Sequence, residues 1–493
     1  MKMWNVTLFF LLSFLQISCT LSANISELSS SVKSGDVLPS PSAPISEPDS
    51  STTTPVILKL SGNSSSAVDI ASRIFDENSG GWLLEGSCES DNGLVLISGD
   101  IDTTTSVECI NDHFVKTINY SATTPYFNAK VGLSRKIIVS QSTTSEEVIL
   151  YKSSSTNPPP VIIRTVSDFN LIYANPSGNY ILANDIDASN GGVNLVNNFS
   201  PIDFSGLDAF VGTFEGDNHT ISNLNKTTGT WDACLIAWVG GGAVFRNFKL
   251  TNVSFSTGVY GAASTNIAAV ACRVVSSFGT SEVLFENIYV QGQIVSNDVD
   301  TIVGGVVAQS SIATKIKDIK TDLTISGTGA MAGGIIGGGS QTEVVNTFSK
   351  ATINMTTKPS FGSGGIFGRM GTGADISKIR NSYFLGNISG AENVGGFVGV
   401  IGANSQYIEN SYAISNIIVS ATKKGGPIIG FENTYTYSII STYFLDTSSC
   451  TLCTNSYGAA KTSTQLKSQA TYLSWDFIKT WRISEGLEYP TLR

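Results

Sequence analysis

Glu215, Asp217 and His219 in GTFEGDNHTI alternate along the chain, the spacing that puts side chains on one face of an extended strand. Two carboxylates and an imidazole on one face would form a general acid–base cluster. Gly212 and Gly216 in the same string fit a tight structural turn instead. Asp185 and Asp187 in NDIDAS offer oxygens to calcium, but the alternating ligand run of a calcium loop is missing, and turn aspartates are the simpler reading. The chain has 2 histidines, His113 and His219, which excludes His-rich metal centres and most nucleophile–His–acid triads. Glycine-rich strings such as GGIIGGGS lack the Lys-Ser/Thr pair of a phosphate loop. The sequence therefore assigns no catalytic set, no metal and no cofactor.

The cysteines carry different chemistry. Cys450 and Cys453 form a C-x-x-C pair. Zinc would need a second ligand pair and a thioredoxin-like site a following helix in an α/β pattern, so a loop-closing disulfide is expected. Cys234 and Cys272 fall in neighbouring repeats, offset by three places against a column of small residues. On a continuous strand an odd offset turns side chains to opposite faces, which leaves that bridge open.

Composition limits what these residues can be built on. The 493 residues include 29 Lys+Arg against 39 Asp+Glu, for a net charge of −10. That balance argues against binding nucleic acid by phosphate neutralisation. Only 14% of residues are charged and 48 are glycine. With many β-branched residues this points to an all-β protein.

Lys2 and the apolar run at 4–17 form an export signal too short to span a bilayer. Ser18-Cys19 resembles the end of a bacterial lipobox, with residues 1–18 removed and Cys19 lipidated, although Gln16 stands where Leu is usual. Cleavage after Ser22 or Ala23 by an ordinary signal peptidase is the alternative. Setting Cys19 aside leaves an even cysteine set, as expected of disulfides in an exported chain. No later apolar run is long enough for a membrane helix, so a lipid would be the one membrane anchor.

Residues 19–55 are rich in Ser, Thr and Pro and read as a disordered stalk. Residues 56–154 carry short β-type runs (VILKL, WLLEG, LVLIS, FVKTINY, KIIVS, EVILY) at the spacing of a sandwich. A Pro-rich linker at 155–160 follows, then an opening segment at 161–228, coils of about thirty residues at 229–446 and a cap at 447–493.

The coils are read from internal repetition. Small-residue pairs recur at Ala268-Ala269, Gly304-Gly305, Gly333-Gly334, Gly364-Gly365, Gly395-Gly396 and Gly425-Gly426. A second string aligns Asn247, Asn287, Asp318, Asn346, Asn381, Asn410 and Ser441 as a polar column. Two places earlier stand Phe245, Phe285, Ile316, Val344, Ile379, Ile408 and Ile439, all apolar. A parallel coil rising about 4.8 Å per turn stacks such columns, apolar ones inside and polar ones hydrogen-bonded along the stack. Between the two columns, Glu286 with Lys317 and Arg380 with Glu409 would pair across neighbouring coils. Two places after the polar column come Lys249, Tyr289, Lys320, Phe348, Tyr383, Tyr412 and Tyr443. Tyr383, Tyr412 and Tyr443 would form an aromatic strip, able to bind a glycan or a protein if exposed, or stacked for structure alone.

Two resemblances add to this. VSDFNLIYANPSGNYILANDIDASNGG, PIDFSG and FVGTFEGDNHTISNL, with the closing WDF…W…YPTL, are similar to right-handed parallel β-helix proteins of the GLUG-repeat type, common in bacterial surface adhesins. GWLLEGSCESDNGLVLISGDIDTTTSVECINDHFVKTINY resembles small immunoglobulin-like modules of bacterial surface proteins, which implies a bridge between Cys88 and Cys109. The resemblances imply a right-handed β-helix behind an immunoglobulin-like β-sandwich; export, a flexible stalk, a sandwich spacer and a repetitive rod without a catalytic cluster then point to a non-enzymatic cell-surface adhesin. Its partner would be a surface glycan or protein of another cell or matrix. A polysaccharide-degrading lyase or glycosidase, which would need paired carboxylates on a groove, and a passive envelope spacer are the alternatives. In a eukaryotic source, N-x-S/T sites such as Asn218 and Asn387 would be open to glycosylation.

Overall fold

The structure, a computed structural model, describes residues 68, 73–74, 81–101, 103–119, 133–152, 160–189, 209–228, 232–258, 265–357, 361–373, 375–390, 392–419, 424–432, 434–446, 450–451 and 453–493. The signal segment, Cys19 and the Ser/Thr/Pro segment to residue 55 lie outside them.

The N-terminal strands alternate apolar and polar residues and are antiparallel. Gly81–Ser87 pairs with His113–Asn119, and a second sheet runs in the order Thr105–Val107, Val95–Gly99, Leu133–Gln141, Thr144–Lys152. The inward residues Trp82, Leu84, Val95, Ile97, Phe114, Ile137, Val139, Val148 and Leu150 share one core, none more than 1% exposed. Cys88 and Cys109 are bridged at its edge, with Cα atoms 6.0 Å apart.

From Val161 onward the chain winds into a parallel β-solenoid of about seven turns. Among the described residues its walls are a 20-stranded sheet and narrower 7- and 6-stranded sheets. The apolar column is in strict register: Phe245 pairs with Phe285, then Ile316, Val344, Ile379, Ile408 and Ile439 follow coil by coil. All but Ile439, which is half-buried, are at most 1% exposed. The Phe245 and Phe285 rings stack with centroids 5.1 Å apart.

The polar column turns the chain. Asn247, Asn287, Asp318, Asn346, Asn381, Asn410 and Ser441 all have positive φ, between 45° and 60°. Asn and Asp tolerate this left-handed conformation because their short polar side chains bond locally. The expected ladder is present in part: Asn287 donates to Asn247 at 2.9 Å and Asn381 to Asn346 at 3.2 Å. The glycine pairs allow close approach, since a Cβ added at Gly305 would strike the carbonyl of Gly334 on the next coil.

The two ends are closed differently. The helix Phe169–Ala174 buries Phe169 and Ile172 on the first coil, with Phe169 6.0 Å from the Phe214 ring. At the other end Ala459–Lys461 pairs with Tyr443–Leu445, and Tyr457 and the bridged Cys450 and Cys453 pack on the core. The sequence suggested that the rest of the C-terminal segment caps the open end of the last coil; it reaches that coil at Ser441 and Tyr443 but runs on over earlier coils. Residues 462–493 lie along the outer face of the long sheet, because that face carries apolar side chains that need cover. Phe384 points into the main core while its neighbours Tyr383 and Leu385 point outward beneath Trp481, Trp475 and Tyr472.

Candidate functional site

Glu215, Asp217 and His219 do not share a face. Glu215 ends the strand Thr213–Glu215, and the chain then turns, with Asp217 and Asn218 at φ 49° and 67°. Each side chain meets a different partner. Glu215 accepts from Arg246 at 2.6 Å, from Asn247 at 3.0 Å and from the Asp217 amide at 2.9 Å. Burial pushes its carboxyl up, and Arg246 opposes that shift. Asp217 accepts from Arg73 at 2.7 Å, and His219 Nδ1 lies 3.2 Å from Asp185. The turn after Gly216 breaks the alternation read from the sequence, and each of the three side chains is tied to a different partner.

Asp185 also accepts from the Thr220 amide, and Asp187 accepts from Ser189 and Asn223 at 2.9 and 2.7 Å. Both aspartates tie down turns. Among the described residues no three His, Cys, Asp or Glu side chains are grouped to hold a metal ion.

Cys234 and Cys272 are bridged, with Cα atoms 5.7 Å apart. The odd offset misleads because a corner lies between the two positions. Register places Cys234 at the position held by Gly304 two coils on. There an added Cβ points at the carbonyl of the residue three further along, Val307 for Gly304 and Ile336 for Gly333. Cys234 therefore aims across the corner at the strand carrying Cys272. Strand parity does not hold through a turn.

The charged pairs are also partly redrawn. Lys317 pairs with Glu286 as expected. Arg380, however, pairs with Glu343 on the preceding coil rather than with Glu409.

The aromatic column exists as a stack, but its end is covered. Phe348, Tyr383, Tyr412 and Tyr443 are in register on successive coils. Phe348 and Tyr383 stack at 4.3 Å, and Tyr383 and Tyr412 at 5.2 Å with planes 2° apart. Tyr383 is 6% exposed and Tyr412 0%, packed 6.0 and 6.2 Å from the Trp481 ring. The Tyr412 hydroxyl donates to the Pro490 carbonyl at 2.7 Å, and burial holds that phenol far above its ordinary range. Tyr443 is half-buried edge-on to Tyr472. Of the two readings left open by the sequence, stacking for structure holds for Tyr383 and Tyr412, which are interior residues with the C-terminal segment in place, so neither offers an exposed binding face. Their apolar neighbours Leu385 and Ile414 on the same outward face were the sequence signal for a cover.

Toward the N-terminus the same column continues uncovered by the aromatic cluster, as Lys320, Tyr289 and Lys249 in register with Phe348. The next outward column is Gln291, Asp322, Lys350, Leu385 and Ile414, and the one beyond it is Ser254, Gln293, Thr324, Thr352, Asn387 and Asn416, hydroxyls and amides throughout. Within it Gln293 donates to Ser254 at 3.0 Å and Asn416 to Asn387 at 2.9 Å.

No family model matches the chain. A stretch of 170 residues, 32% of this chain and 2% of the relative, is 31% identical to Halomucin of Haloquadratum walsbyi. Among solved structures, one named as a candidate immunoglobulin A1 protease from Bacteroides ovatus is similar at 19% identity and TM-score 0.43, covering 69% of this chain and 93% of that one. A second, named IgA1 Protease, is similar at 16% identity and TM-score 0.46, covering 83% of this chain and 32% of that one. At these identities and TM-scores neither structure carries an argument about activity.

Proposed function

We propose that the chain is an exported surface interaction protein, an adhesin rather than an enzyme, that presents a repetitive β-solenoid to a glycan or protein of another cell or matrix. In this reading residues 1–18 are removed, Cys19 takes a lipid and residues 19–55 form a stalk. Residues 56–154 are an immunoglobulin-like spacer, and residues 161–446 a right-handed β-helix of the GLUG-repeat type. The observation that carries it is the long sheet's outer face, where Ser254, Gln293, Thr324, Thr352, Asn387 and Asn416 repeat coil by coil while the candidate carboxylate Glu215 is held by Arg246. Repeated uncharged donors and acceptors suit an extended polar partner. The disulfides and the likeness to Halomucin support an extracellular or surface location.

The test is to pass the purified protein over a polysaccharide panel and intact cells, recording retention and released sugar ends together. Saturable retention without released ends is expected. Released ends would overturn the reading in favour of a polysaccharide-degrading enzyme, and no retention on any surface would leave a passive spacer. Replacing Cys19 by Ser should release the protein from membranes in its source cell.

A further inference from the structure

The last coil of the long sheet carries an unpaired edge. Tyr437–Ile440 pairs with Gln406–Glu409 of the preceding coil, and among the described residues no strand pairs with its other side. The Gln406 amide donates to the Thr436 carbonyl, and the Asn410 amide to that of Ile440. Residues of a strand face alternate neighbours, so Ser438 also faces back, and the amides and carbonyls of Tyr437 and Ile439 face out from the end of the coil. The rest of that coil is better covered. Ala459–Lys461 pairs with Tyr443–Leu445, and the Gly425 and Gly430 carbonyls accept from Thr454 and Asn455.

Proteins ordinarily blunt such an edge with charge, proline or a bulge. Residues 434–445 hold no charged residue and no proline. The outward column that ends in Ile440 runs through Arg246, Glu286, Lys317, Val345, Arg380 and Glu409 on earlier coils. The one that ends in Ser438 includes Lys315, Glu343 and Lys378. Charge that faces solvent along the coils is therefore dropped at the terminal strand. Ile440 is 49% exposed, and Leu473, 93% exposed, adjoins Ser474, whose hydroxyl shares a 2.7 Å hydrogen bond with that of Ser441. On the inward side Tyr437 and Ile439 pack on the core but stay half-buried, with the Tyr457 ring edge-on to Tyr437 at 5.4 Å.

We infer that this edge takes a second copy of the chain, Tyr437–Ile440 pairing antiparallel with the same strand of its mate about a two-fold axis at Ser438. An axis there sets Tyr437 of each copy opposite Ile439 of the other, so every outward amide and carbonyl of the two residues finds a partner. The same step lays Tyr437 and Ile439 of one copy against those of the other and extends the apolar interior across the contact. No charge on the strand meets its like, although the chain as a whole stands at −10. Spacing and neutrality together make the strand its own complement. The contact goes beyond the surface-interaction reading and does not depend on it.

Sedimentation velocity of the purified full chain over a concentration series should show a reversible dimer. Charged residues occupy the position of Ser438 on earlier coils, so S438K and S438D should fold, with melting curves matching the parent. At the axis each sets like charges against each other, and each alone should weaken dimerisation about tenfold or more. An equal mixture of the two should restore it, because opposite charges then meet. A peptide of residues 434–442 should compete with the dimer. A parent chain that is monomeric at every concentration, a dimer that S438K and S438D leave unchanged, or a mixture no better than either variant would overturn the proposal. A peptide bound by a chain that itself stays monomeric would overturn the second copy as occupant and give the edge to a strand of another protein. Retention on glycans and cells, the measure of the surface-interaction reading, is untouched by any of these results.

Discussion

At the scale of the residue, the asparagine column does two jobs, and its backbone role is the stronger. Asn381 sits at φ 47° and donates to Asn346 at 3.2 Å. The side-chain bond joins half-exposed groups and contributes on the order of 1 kcal/mol. A side chain with a Cβ but no local hydrogen bond, held at left-handed φ, costs about 1–2 kcal/mol. Glycine removes the strain and loses only the amide. N381A should therefore destabilise the protein by about 1–2 kcal/mol, and N381G by less, in urea unfolding of the full chain. If N381G were the more damaging, the side-chain ladder would be the column's main role. The column was legible as polar and periodic, but its conformation was not, because an amide ladder and a left-handed corner favour the same residue.

At the scale of the element, what was legible follows the period, and what was missed lies at the corners and ends. Every member of the inward column from Phe245 to Ile439 is in register, because stacking fixes equivalent positions whatever the loops between them do. Parity reasoning left the Cys234–Cys272 bridge open because it assumed a straight strand where the chain turns. The C-terminal segment was placed on the open end because edges need protection. Yet the outward Tyr383, Leu385, Tyr412 and Ile414 make a larger demand, and Trp475 and Trp481 answer it. The corner bridge also closes the chain at a sequence separation of 38, in the first coils of the solenoid. Limiting the unfolded chain over a loop of that size contributes about 3–4 kcal/mol. C234A/C272A should lose that much in reversible urea unfolding. A loss below about 1 kcal/mol would mean that the coils already restrict the unfolded chain there.

At the scale of the whole molecule, a buried guanidinium links the antiparallel N-terminal strands to the solenoid. Arg73 is 1% exposed, and donates twice to the Val68 carbonyl, at 2.7 and 3.2 Å, and once to Asp217 at 2.7 Å. Val68 bridges to Gly86 in the antiparallel part, and Asp217 follows the strand Thr213–Glu215 of the solenoid, one coil on from Asn179–Leu182. The second oxygen of Asp217 is buried with no hydrogen-bond partner among the described residues, so Arg73 is its main compensation. Ion pairs of this kind gain little when formed, but removing one partner strands a buried charge at about 3–5 kcal/mol. R73M should therefore lower the melting temperature and separate one transition into two, the antiparallel part melting apart from the solenoid. R73M/D217N, which removes the stranded charge, should recover much of the melting temperature without restoring a single transition. A single unshifted transition in R73M would show that the two parts are coupled by something other than this ion pair.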